Sequence, residues 1–272
     1  MSIRPPRPLP GGFLPSLVAG LGYGLEPLGF LGRAGLWPLA LASVLVNVAL
    51  LAGLAAAAIG WLVPEVRHVC GAIDAWAQGS AALGALAAVA GWLVWLLAVG
   101  LGIVAGALVV LMVGQTVASP FLDALSERVE TLVLGTPPTP FSGRRAVAAA
   151  GAAVADLAWT LVVWVAVNVP IFLLGFVAPP VAAVLSFVAS ALLLAQEFVG
   201  LPLARQLVPY RRRFAVFRGR RVVALGFGAA CLVLFAVPGL NLVLLPLATV
   251  GGTLLYCDLE STRAATTRRG VA

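Results

Sequence analysis

The sequence contains no lysine: all 17 basic residues are arginine, set against 10 acidic residues and 1 histidine. Charged residues make up only 10% of the 272. Soluble domains are about a quarter charged, so a soluble fold is excluded. The three cysteines, Cys70, Cys231 and Cys257, are too few and too scattered for a disulfide framework or a metal centre. His68 and Cys70 form a lone H-x-C pair and read as structural. With one histidine and no carboxylate inside any long apolar run, acid–base catalysis within a membrane is excluded. Ion-coupled carriers commonly place Asp, Glu or His in the membrane as relays, so a proton relay is not expected either. There is no phosphate-binding P-loop, which argues against ATP-driven transport. Gly100, Gly102 and Gly106 in GLGIVAG mimic a dinucleotide fingerprint but follow no strand. Small-xxx-small helix packing, Gly102 to Gly106, is the better reading. No cofactor and no metal are expected, and no cleavable signal peptide is visible.

What the chain does have is apolar length. Hydrophobic residues reach 62% and the mean hydropathy is +1.08, which describes an all-α integral membrane protein. Residues 1–33 are rich in Pro and Gly and read as a cytoplasmic lead-in with a short interfacial helix. Residues 34–63 carry no charge and are ample for one span, since about 20 residues suffice. Residues 64–79, PEVRHVCGAIDAWAQG, read as a short polar connection. Residues 80–118 are again uncharged, too long for a simple crossing, so this helix tilts, kinks or projects. In SPFLDALSERVETLVLG, 119–135, Ser119 suits an N-cap, Pro120 the first helical position and Gly135 the stop. Phe121, Leu125, Val129 and Leu132 would line one face of an interfacial helix. TPPTPFSGRR, 136–145, reads as a linker, closing the segment 119–156.

The second half holds two broken apolar stretches. Residues 157–196 are interrupted by Pro170 and by APP at 178–180, and residues 222–257 by PGLN at 238–241. Each reads as a helical hairpin, spanning or half-penetrating. The arginines choose between topologies. Residues 197–221 carry seven, and the tail 258–272 three. Two long transmembrane helices (34–118) followed by two hairpins that return to their own side place 16 of 17 arginines in the cytoplasm, with both termini. Treating each broken stretch as one span puts the seven-arginine loop outside, against the positive-inside rule. YRRRFAVFRGRR, 210–221, is therefore mainly a topological anchor and not a nucleic-acid site. Contact with anionic lipid and collection of anions at a pore mouth are its further readings. Asn47, Gln115, Asn168, Gln196 and Asn241 border or interrupt the apolar runs and either bond between helices or line a path.

Three stretches resemble the CysZ-type sulfate permeases, which share a domain with the etoposide-induced membrane proteins. They are GRAGLWPLALASVLVNVALLAG (32–53), ASPFLDALSERVE (118–130) and RVVALGFGAACLVLFAVPGLNLVLLPLATVGGTLLYCDLE (221–260). Pro120, Phe121, Glu127, Pro202, Pro238, Asn241 and Pro246 carry the structural part of the motif. The resemblance implies two long transmembrane helices plus two half-penetrating hairpins, a homo-oligomer in the bacterial inner membrane, and sulfate uptake. It also implies an anion site at the start of the first long helix, where family members have G-[LI]-R. Here that triplet is Gly35-Leu36-Trp37, with Arg33 two residues upstream. The family's Y-x-D-Y-P-x-D-N-H stretch is FVGLPLARQ, 198–206. The expected function is a passive or facilitated permease or channel for sulfate or another small anion, with Arg33, Gly35, Leu36 and Trp37 as anion-binding candidates. The alternative is a non-transporting scaffold or assembly protein on the same fold.

Overall fold

A computed structural model describes residues 4–76, 81–137, 143–237 and 241–271. Among them the secondary structure is helical throughout, with no strand. The chain divides into two compact units, residues 43–120 and the remainder. Among the described residues nine α-helices run in order: α1 Phe13–Ala34, α2 Trp37–Trp76, α3 Ala81–Leu134, α4 Gly143–Gly175, α5 Pro179–Val199, α6 Leu201–Arg205, α7 Tyr210–Arg213, α8 Arg221–Phe235 and α9 Asn241–Val271. A 3₁₀ turn, Phe214–Phe217, follows α7.

By length and composition, Gly84–Gly102, Gly151–Gly175, Pro179–Val199 and Val243–Ala265 can each cross a bilayer. α1 and Trp37–Gly53 qualify only as a bent pair, and α8 is shorter. The protein is thus an all-α membrane protein, and both arms of the first hairpin are long enough to span.

Helices outrun the apolar stretches that foretell them. α2 continues through Pro64 to Trp76, so most of the polar connection expected at 64–79 is helix. Val66, Cys70 and Ile73 fall at helical spacing, and an internal proline costs a helix one hydrogen bond without ending it when neighbours compensate. Likewise α3 passes through Ser119 and Pro120 without a break. Ser119 is therefore no N-cap, and Pro120 is interior to a helix of 54 residues, about 80 Å long at 1.5 Å per residue. The stop at Gly135 is present: its φ of 72° is left-handed and its N–H donates to Thr131 O at 3.0 Å. The buried face of 121–134 is Leu122, Leu125, Ser126, Val129 and Val133. It packs on protein, with Ser126 Oγ 2.8 Å from Thr253 Oγ1 of α9. Pro170 does not break the first hairpin; the tip is at 176–178, and Pro179 and Pro180 open α5. Of the tail expected at 258–272, residues 258–271 continue α9.

In the larger unit α1, α5, α8 and α9 pack together, with α4 against α5. α9 is buried on nearly all sides from Leu244 to Leu259, as a helix without a polar face should be. Small residues let the backbones approach. A Cβ on Gly20 would strike Val223 O of α8, and one on Gly226 would strike Leu17 O of α1. On Gly252 it would fall 2.7 Å from Phe198 of α5. Gly100, by contrast, has nothing within 4 Å. α1 is patterned the opposite way to a soluble helix. Its buried face is Ser16, Gly20, Tyr23, Gly24, Pro27, Phe30 and Leu31, while Phe13, Leu14, Val18 and Leu25 face outward. It packs as a core helix with an apolar exterior.

In the smaller unit, Trp92 and Trp95 meet edge to face at 6.2 Å. With Cys70 and Gly91 they border an apolar crevice of about 450 Å³.

Candidate functional site

The turn between α1 and α2 holds the candidate triplet. Gly35 closes α1 in the left-handed region, φ 65°, which a Cβ would oppose. Its N–H donates to Gly32 O at 3.4 Å, and the Leu36 N–H donates to Leu31 O at 3.1 Å. This is a Schellman cap, which satisfies the last carbonyls of α1. The amides of Gly35 and Leu36 are therefore committed to α1. Trp37 opens α2, and Ala40 N–H returns to Leu36 O at 3.1 Å. The leading N–H groups of α2 have no intrahelical acceptor, as at any helix start.

Arg33 lies in the last turn of α1 and is exposed. Its Nε donates to Gly29 O one turn back, at 3.2 Å. The side chain thus runs along α1, away from the triplet. It joins a groove of about 680 Å³ bordered by Arg7, Leu9, Tyr23, Glu26 and Gly29. The structure brings together Arg33 and Arg7, not Arg33 and Trp37.

A buried charge cluster supports this groove. Arg4, 3% exposed, reaches Asp258 of α9 with two N–H donors, at 3.1 and 2.8 Å. It reaches Glu26 of α1 at 2.7 and 3.3 Å. The Tyr23 hydroxyl donates to Asp258 Oδ2 at 2.5 Å, and the Arg7 amide to Oδ1 at 2.7 Å. Asp258 therefore accepts four hydrogen bonds. Burial works against the charge of Arg4, but Asp258 and then Glu26 outweigh it and hold the guanidinium above its ordinary value. Arg7 also pairs with Glu26 at 3.2 Å. Two carboxylates thus face Arg4 and Arg7, while Arg33 forms no ion pair among the described residues. Arg220 fastens the segment from the other side, donating to Leu9 O at 3.2 Å and Pro10 O at 2.6 Å. Neither Arg4 nor Asp258 stands out in the sequence: one lies in a proline-rich leader, the other at the end of an apolar run.

The family-motif residues serve the scaffold. Phe121 and Glu127 are half-buried on α3, Pro202 is buried in the first turn of α6, and Pro246 is buried inside α9. Asn241 opens α9, and Pro238 lies outside the described residues. Arg205 of α6 donates to Glu130 at 2.6 Å and to Asp123 O at 2.7 Å. Asn47 is buried, and Asn168 donates to Trp164 O of its own helix at 2.9 Å. The side chain of Gln115 lies outside the described residues. Gln196 is buried with Nε2 lacking a partner.

The family model described as Sulfate transporter CysZ/Etoposide-induced protein 2.4 matches residues 23–246. Sulfate transporter CysZ of Salmonella typhimurium is 27% identical over 226 residues, covering 79% of this chain and 82% of the relative. The protein of that name from Salmonella enteritidis matches with the same identity and coverage.

Proposed function

Since the chain belongs to the Sulfate transporter CysZ/Etoposide-induced protein 2.4 family, we propose that it is an inner-membrane permease or channel for sulfate or a related small oxyanion. Transport is passive or facilitated, the assembly is a homo-oligomer, and both termini lie in the cytoplasm. The observation that carries the reading is the groove bordered by both Arg7 and Arg33, the latter without an ion pair among the described residues. Guanidinium forks suit a tetrahedral dianion. The N–H groups of Trp37 and Leu39 are the backbone donors left at the start of α2 once the Schellman cap has taken Gly35 and Leu36, since Pro38 has none and Ala40 donates to Leu36 O. Facilitated passage is favoured because the buried carboxylate of Asp258 is tied down by four donors and is not left to relay protons.

The second reading, a non-transporting scaffold, draws on the same cap. The triplet offers neither its first two amides nor an arginine. Flux of radiolabelled sulfate into proteoliposomes separates the two. The permease reading expects flux above empty liposomes that survives collapse of the proton gradient. It expects Arg33→Ala to raise half-saturating sulfate about tenfold, the worth of one charge-assisted hydrogen bond. No flux above empty liposomes sinks it.

A further inference from the structure

The arginine-rich loop carries a site unrelated to the groove. α7 is pinned to α4 by its buried member: Arg213 pairs with Asp156, and the Tyr210 amide donates to Asp156 Oδ1 at 3.2 Å. Arg213 also donates to Val208 O at 2.9 Å, so its guanidinium is consumed by the scaffold. This fixes Arg211, whose Cζ sits 4.4 Å from the centroid of the Trp159 ring. Arg211 and Arg212 are both exposed, and Trp159 is 39% exposed.

The depth of this pair follows from its neighbours. A loop with Arg211, Arg212, Arg218 and Arg221 all exposed belongs in the headgroup layer. On the same side of α4 as Trp159, exposed Val162, Val169 and Leu173 run toward the hairpin tip, as a lipid-facing surface does. Tryptophan favours that boundary, and stacking on it orients a guanidinium that would otherwise sample many rotamers. A cation held over an aromatic ring, beside a second cation and above an apolar wall, complements a molecule with a phosphate head and hydrocarbon tails.

We propose that Arg211, Arg212 and Trp159 form a headgroup site for an anionic phospholipid, whose acyl chains run along the exposed face of α4. Nucleic acid or a soluble anion would use the arginines and leave the apolar wall uncovered.

The test uses the full chain in nanodiscs mixing phosphatidylglycerol and phosphatidylcholine, with native mass spectrometry counting the lipid retained. Wild type should retain phosphatidylglycerol preferentially. Arg211→Ala with Arg212→Ala should cut that preference roughly fivefold for each arginine removed. Arg218→Ala with Arg221→Ala, removing equal charge from the same loop, should leave it in place. An unchanged preference in the first double variant overturns the proposal, as does equal loss in the second, which would mean diffuse charge attraction. Displacement of the lipid by inorganic phosphate would also overturn it, by revealing a soluble-anion site.

Discussion

Arg4 and Asp258 stand 254 positions apart in sequence and meet as a two-pronged ion pair in the protein interior, their side chains 2% and 0% exposed. Such a pair is costly to break, because one partner's removal leaves the other charged and buried. Arg4→Ala should therefore destabilise the protein by about 3 to 5 kcal/mol. Thermal unfolding in detergent would show it, and a wild-type melting temperature would contradict the structural role assigned to the pair. An apolar double replacement, Arg4→Met with Asp258→Leu, should recover part of the loss.

Glycine substitutions should separate contact from propensity. Gly252→Ala places a methyl 2.7 Å from Phe198, and overpacking of this kind costs about 1 to 3 kcal/mol. Gly22→Ala adds a methyl where nothing lies within 4 Å, in mid-helix. It should be neutral or stabilising by up to about 1 kcal/mol. Equal melting temperatures for the two variants would show that α9 and α5 do not meet at backbone distance.

Glu130 should leave a mark on the pH dependence of stability. Burial pushes its carboxyl above the usual glutamate range, against the pull of Arg205. The folded state then binds more protons than the unfolded one between the ordinary glutamate value and the raised one. Stability from this group is present at lower pH and is lost as pH rises through the raised value. Glu130→Gln should flatten the fall of melting temperature across that window. An identical slope in both proteins would remove Glu130 as its source.

Hydropathy made the membrane class and the two hairpins legible, because the bilayer selects directly on apolar length. Helix ends were not legible from it. Residues 64–76 and 258–271 are polar yet helical, since backbone hydrogen bonding continues after the apolar run stops. The packed face of α1 is not legible either: Gly20, Gly24 and Pro27 interrupt Tyr23, Phe30 and Leu31, and a hydrophobicity pattern scores that face as weak. Gly35 shows the same limit at the candidate site. Its residue type allows both an anion-binding loop and a helix cap, and only the acceptors of its N–H and of Leu36 decide. The Arg4–Asp258 pair was hidden because no local pattern joins a leader to the last helix.

The enclosure of α9 has a consequence for biogenesis. α9, made after α1, α5 and α8, occupies the middle of the larger unit and packs against all three. Until it leaves the ribosome, the slot that receives it, lined by Tyr23, Pro27, Phe198 and Phe227, is open, and the guanidinium of Arg4 lacks Asp258. A chain stalled before residue 258 is therefore a different object from a shorter version of the finished protein. It has its central groove unfilled, and Arg4 holds only one, Glu26, of its two carboxylate partners.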